Sequence, residues 1–139
     1  MGIGLDFGTT NSSIALAMPD GGDVKLARFA FPGGLTESFR SLLYLERVRD
    51  GGRNTIKSWS GPDGVERYLL ADEKGRLIQS LKSFLASRSL LTTEIFGRRF
   101  RLEELVANLL RDIRLKAETQ FGRPVRDVVG WQARSLRRF

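Results

Sequence analysis

Asp6, Gly8, Thr9, Thr10 and Asn11 fall close together near the start of the chain, in the run Leu5-Asp6-Phe7-Gly8-Thr9-Thr10-Asn11-Ser12-Ser13. Such residue types at such spacing can hold phosphate. Gly8 carries no Cβ, so the backbone there can approach a ligand closely. Successive amide N–H groups in a turn converge into an anion-binding concavity, and the hydroxyls of Thr9 and Thr10 add donors. Asp6 would repel a bare phosphate, so the task open to it is to hold a cation between the two. Mg²⁺ fits, because it takes one or two carboxylates together with waters and phosphate oxygens. An ordinary glycine-containing hairpin with a solvated aspartate would carry the same residues, and D-x-G-T-T by itself leaves both readings open.

The elements that must position these residues follow from hydrophobic periodicity. Ile3, Leu5 and Phe7 alternate as in a half-buried strand, with Asp6 on the opposite face. A second alternating run covers Ile14, Leu16 and Met18, and Val24 to Phe31 reads as a third strand after the turn Pro19 to Asp23. Short turns between successive strands predict an antiparallel meander that ends at Pro32-Gly33-Gly34, with Leu35 to Arg40 as a connecting loop. Ser41 to Val48 and Thr55 to Trp59 read as strands, Gly61-Pro62-Asp63-Gly64 as a turn, and Val65 to Ala71 as apolar without a clear period.

Arg76 to Ser87 is predicted helical, with Leu77, Ile78, Leu81, Phe84 and Leu85 on one stripe. At about 100° per residue, Lys82 lies roughly 100° from the centre of that stripe. A lysine so placed can simply run its stem along the core and keep its ammonium in water. Phe96 to Phe100 reads as a turn with basic residues. Leu102 to Gln120 is the clearest helix: Leu102, Leu105, Val106, Leu109, Ile113 and Ala117 follow the helical period, and Glu103 and Glu104 occupy the first turn, where the dipole favours acids. Gly122 and Pro124 end it. Val125, Val128 and Val129 belong to a strand expected beside the first.

Composition narrows the chemistry. The 139 residues suit one domain and include neither cysteine nor histidine, which removes thiolate metal sites, disulfides and a histidine-based triad. No apolar run approaches the ~20 residues that cross a membrane. The N-terminus is a strand rather than a charged segment leading into an apolar one, so a secretory signal is not expected and the default location is cytoplasmic. The net charge is +7, from 23 basic and 16 acidic residues. The basic residues are spread along the chain with few aromatics among them, which argues against a nucleic-acid surface.

The stretch Leu5 to Ser12 resembles the first phosphate loop of the superfamily of actin, sugar kinases and heat-shock chaperones. Asn11-Ser12 after the paired threonines is most similar to the DnaK-type, seventy-kilodalton heat-shock chaperones and their shorter, YegD-like members. Leu77 to Leu85 resembles the chaperone helix that carries the catalytic lysine, and Lys82 is the matching position; Glu103 to Val129 resembles the long helix and following strand of the same lobe. The resemblance implies an α/β, actin-like ATPase (ribonuclease H-like) lobe over residues 1–130: a three-strand meander plus helix and strand, with a small inserted subdomain at about 33–100. It implies ATP and Mg²⁺ as cofactors, with Gly8, Thr9, Thr10 and Asn11 around the phosphates, Asp6 holding Mg²⁺ through water, and Lys82 orienting the attacking water. An unfolded-protein client would be the partner of a full-length form. The second phosphate loop and the adenosine pocket lie later in that family's chain, so weak nucleotide binding and little turnover are expected of these residues alone. A sugar or acid kinase of the same superfamily is the alternative. Asn11-Ser12 argues against an actin-type filament protein.

Residues 131–139, Trp131-Gln132-Ala133-Arg134-Ser135-Leu136-Arg137-Arg138-Phe139, do not continue the pattern. The hypothesis is that they are out of frame. Codons exist for them that, read one base later, give Gly-Arg-Pro-Val-Arg-Phe-Val-Gly, a segment more like a continuing strand. Sequencing the gene past Gly130 tests this: without a chaperone-like continuation in either shifted frame, the hypothesis fails.

Overall fold

The computed structural model describes residues 2–86, 92–130 and 137–138. It is a mixed α/β structure with several sheets and three helices among the described residues. The elements, in chain order, are β1 (Gly2–Phe7), β2 (Asn11–Ala17), β3 (Val24–Leu26), β4 (Phe29–Phe31), β5 (Gly34–Thr36), β6 (Phe39–Arg40), β7 (Leu43–Asp50), β8 (Arg53–Ser60), α1 (Gly61–Leu70), β9 (Arg76–Ile78), α2 (Leu81–Ala86), β10 (Thr92–Ile95), β11 (Arg98–Arg101), α3 (Leu102–Phe121), β12 (Val128–Gly130) and β13 (Arg137–Arg138).

The alternation at the N-terminus does what it predicts. β1 and β2 pair antiparallel, with Leu5 opposite Ile14 and Asp6 opposite Ser13, and β2 pairs antiparallel with β3. β12 lies parallel to β1, Ile3 opposite Val128, where a strand is expected, although it begins only at Val128 and leaves Val125 outside. The sheet runs β13-β12-β1-β2-β3, and β6 shares the β3 edge of β2. Ile3, Leu5, Ile14 and Leu16 are buried in one core with the α3 stripe Leu105, Leu109, Ile113 and Ala117. α3 itself ends as expected: Gly122 has φ 65° and donates its N–H to the Glu118 carbonyl at 3.0 Å. A second sheet, β8-β7-β9, packs with α1 to one side, and β4–β5 and β10–β11 form separate hairpins.

Four local expectations are corrected. Val24 to Phe31 is not one strand. Gln120 of α3 clasps the backbone of Arg28, accepting its N–H at Oε1 (2.7 Å) and donating Nε2–H to its carbonyl, and this substitutes for a ladder partner where β3 gives way to β4. Leu35 to Arg40 is not a bare loop: it contributes β5 and β6, because the first residues of β2 offer β6 a pairing edge that no local periodicity announces.

Gly61 to Gly64 is not a turn but the first turn of α1. Pro62 is tolerated there because the N–H it lacks would be unsatisfied anyway, and a Cβ at Gly61 (φ 57°) would sit 2.4 Å from the Phe39 ring. Finally, Arg76 to Ser80 is not helical. Leu77 and Ile78 pair in β9 with Tyr44 and Leu43, Ser80 takes φ 56°, and α2 starts only at Leu81. The expected helix end at Ser87, the side chains of Phe84 and Leu85, and the frame of 131–136 and 139 lie outside the described residues. Arg137–Arg138 pairs antiparallel with β12.

Candidate functional site

The β1–β2 connection gathers Asp6, Gly8, Thr9, Thr10 and Asn11 at one end of the central sheet. Its backbone is fixed from within. The Gly8 N–H donates to the Asn11 carbonyl at 3.0 Å, and the Ser41 N–H donates to the Thr10 carbonyl at 2.9 Å. Beneath the turn the buried hydroxyls of Ser12 and Ser41 lie 2.8 Å apart and share a hydrogen bond. Two of the loop's acceptors are thereby satisfied internally. Thr9, Thr10 and Asn11 are exposed. Among the described residues the N–H groups and hydroxyls of Thr9 and Thr10 have no partner, and they remain available as donors to something outside.

Gly8 differs from expectation in one respect. A Cβ at this position would lie 2.3 Å from the Asn11 carbonyl oxygen. The glycine is therefore required by the turn itself, and its N–H is engaged rather than free for an anion.

Asp6 is exposed, on the face of β1 opposite Ile3 and Leu5. The register places Ser13 beside Asp6 and Arg40 beside Asn11. As Asn11 and Ser13 lie two residues apart on β2, the four side chains share one face of the sheet. Arg40 thus flanks the loop, and it has no ion-pair partner among the described residues. Leu35 to Arg40 has no periodicity that would mark it; only the pairing of β6 with β2 brings it there.

Lys82 belongs to a different element. It is the second residue of α2, half-buried, and α2 packs against α3. Its neighbour Leu81 is buried in the core. The Lys82 ammonium has no hydrogen-bond or ion-pair partner among the described residues. The lysine is thus half-buried with an available charge, but chain continuity does not bring it to the loop as it brings the other five.

No group of three or more His, Cys, Asp or Glu side chains is arranged to hold a metal among the described residues. Asp6 alone could contribute a carboxylate at the hairpin mouth, which suits a metal carried in with phosphate oxygens and waters rather than one caged by protein.

Elsewhere, a cavity of about 460 Å³ lies between β7 and the C-terminal end of α1, lined by several charged residues, of which Glu46 and Arg67 pair with each other. Glu46 accepts hydrogen bonds from Arg67 Nε at 3.2 Å and Nη2 at 3.0 Å. The Arg67 guanidinium holds the Glu46 carboxyl below the usual range, against the opposing effect of burial, and is itself raised by that carboxylate. Arg67 also lies over the Trp59 ring, 4.8 Å from its centroid. Lys74 closes the C-terminus of α1, donating to the carbonyls of Tyr68 (2.5 Å) and Ala71 (2.7 Å).

Among the described residues no helix is long and apolar enough to cross a membrane. A scan against protein-family models gives no match, and a search of curated proteins gives none either.

Proposed function

We propose that the hairpin mouth is the first phosphate loop of an ATP-binding domain of the DnaK-type chaperone kind, in an actin-like, ribonuclease H-like lobe of a cytoplasmic protein. One observation carries the reading: the loop binds its own Thr10 and Asn11 carbonyls inward and leaves the Thr9 and Thr10 donors facing out. The donor set fits the phosphate end of Mg-ATP, with amides and hydroxyls on one side and a carboxylate and a guanidinium on the adjoining sheet face. When bound, Mg-ATP supplies the phosphoryl group that passes to water. Thr9 and Thr10 would donate to phosphate oxygens, with Asn11 at their side. Asp6 would hold Mg²⁺ through water, and Arg40 would add positive charge at the flank. Lys82 would orient a water and offset developing charge, the kind of positioning and electrostatic work on which phosphoryl transfer depends. In a full-length form the energy would serve an unfolded-protein client.

The test is a titration of the isotope-labelled chain with Mg-ATP, followed amide by amide. The expected result is weak, saturable shifts at Gly8 to Asn11, Arg40 and Lys82, further weakened by Thr9→Ala and Asp6→Asn. Shifts that miss the loop, or that survive both substitutions unchanged, would sink the reading.

A further inference from the structure

A second cavity, of about 360 Å³, opens between β7–β8, β11 and α3, away from the hairpin mouth. Its floor is apolar: Leu45 is 1% exposed, Phe100 7%, and Ile56 is half-buried. Polar groups stand around that floor: Ser58 on β8, Asn108 and Arg111 on α3, and Arg98 on β11. Glu104, Asn108 and Arg111 share a helix face because they are spaced by four and three residues.

The charge of this lining is lopsided. Arg98 and Arg111 are cations. Glu104 is the one acid among the lining residues, and Arg101 Nε already engages it at 3.1 Å. The Arg98 guanidinium lies over the Phe100 ring, 5.1 Å from its centroid, which fixes its position at the wall. The Arg111 guanidinium has no hydrogen-bond or ion-pair partner among the described residues. A guanidinium presents a planar fork that matches carboxylate and phosphate oxygens, and Arg98 is already partly ordered for that role.

We propose that this cavity binds a small amphipathic anion: a carboxylate or phosphomonoester carried on an aryl or branched-alkyl body. The body would lie on Leu45, Ile56 and Phe100, and the oxyanion would meet Arg98 and Arg111, with Ser58 and Asn108 as further hydrogen-bonding groups. The volume is near the lower end of the ~300–1,000 Å³ typical of small-molecule sites. The inference does not depend on the phosphate-loop reading, since no residue is shared.

The experiment is an amide-resolved titration of the whole chain with four probes: phenylacetate, phenyl phosphate, neutral phenethyl alcohol and inorganic phosphate. Either aromatic anion should shift the amides of Ser58, Phe100 and Asn108 saturably, and the tighter of the two identifies the oxyanion. Arg98→Gln and Arg111→Gln should each weaken binding by about tenfold, the loss of one charge-assisted hydrogen-bonding group. Glu104→Gln should tighten it a few-fold, a gain that misfolding could not produce. The proposal is overturned if phenethyl alcohol binds as tightly as phenylacetate or inorganic phosphate as tightly as phenyl phosphate. It is equally overturned if both arginine variants bind like the wild type, or if the shifts fall away from the cavity.

Discussion

Gly8 shows how a residue singled out for a ligand can also be required by the turn that carries it. Its type signals a close approach of backbone, and the approaching group in the structure is the Asn11 carbonyl. Alanine at this position would have to displace backbone, not the end of a flexible side chain. Gly8→Ala is therefore expected to cost about 1–3 kcal/mol, the range for forced overpacking, in denaturant unfolding without any nucleotide present. A variant as stable as the parent would mean that the turn tolerates a side chain there. The face that Asp6 occupies was legible, because strict alternation places it opposite Leu5. Arg40 was not, because a guanidinium brought beside Asn11 by strand pairing leaves no trace in local pattern.

Elements were legible where one face meets one core. β1, β2 and α3 have that character; their apolar periods give β1 and α3 within a residue or two, while β2 starts at Asn11, three residues before the alternating run. Arg76 to Ser87 misleads because Leu77 and Ile78 are adjacent apolar residues that fit a helical stripe as well as a strand edge. β7 decides between the two by pairing with them, and Ser80 turns the chain before α2 begins. α3 carries a second stripe that apolar periodicity cannot reveal, Glu104, Asn108, Asp112 and Lys116, spaced by four and half-buried. Two of its members fasten α3 to the start of α1: the Ser60 hydroxyl donates to Asp112 at 2.5 Å, and Lys116 pairs with Asp63. Ser60 is only 1% exposed. Asp112→Ala would leave its hydroxyl buried and unpaired, at a cost of about 1–3 kcal/mol. Adding Ser60→Ala should recover part of that loss, because it removes the stranded group. Additive losses in a double-mutant cycle would show that the two side chains do not interact.

At the scale of the whole molecule, the central sheet joins the two ends of the chain through β1 and β12, whereas the β8-β7-β9 sheet adds β9 to a local β7–β8 hairpin. Its polar anchors, Tyr44, Glu46 and Arg67, carry the pH dependence. Tyr44 is fully buried, and its hydroxyl oxygen accepts the Gly75 N–H at 2.8 Å. Burial pushes its phenol above the usual value, the more so beside the Glu46 carboxylate, while the Gly75 N–H opposes that shift. Glu46 is shifted the other way, downward, chiefly by Arg67. The signs follow by linkage. A lowered carboxyl contributes stability above its unfolded pKa, about 4.3 for glutamate, and loses that contribution as pH falls through the folded value. A raised phenol contributes below about 10 and loses its share as pH rises further. These two groups therefore give a plateau between the two limits, with an acid shoulder due in part to Glu46. Protonating carboxylates also adds to a net charge already at +7, so some acid loss must survive any single substitution. Glu46→Gln should lower stability on the plateau and make the decline below pH ~4.3 shallower than in the parent, as followed by denaturant midpoints across pH. Parallel acid limbs in parent and variant would place the linkage on other carboxylates and leave the Arg67 pairing without thermodynamic weight.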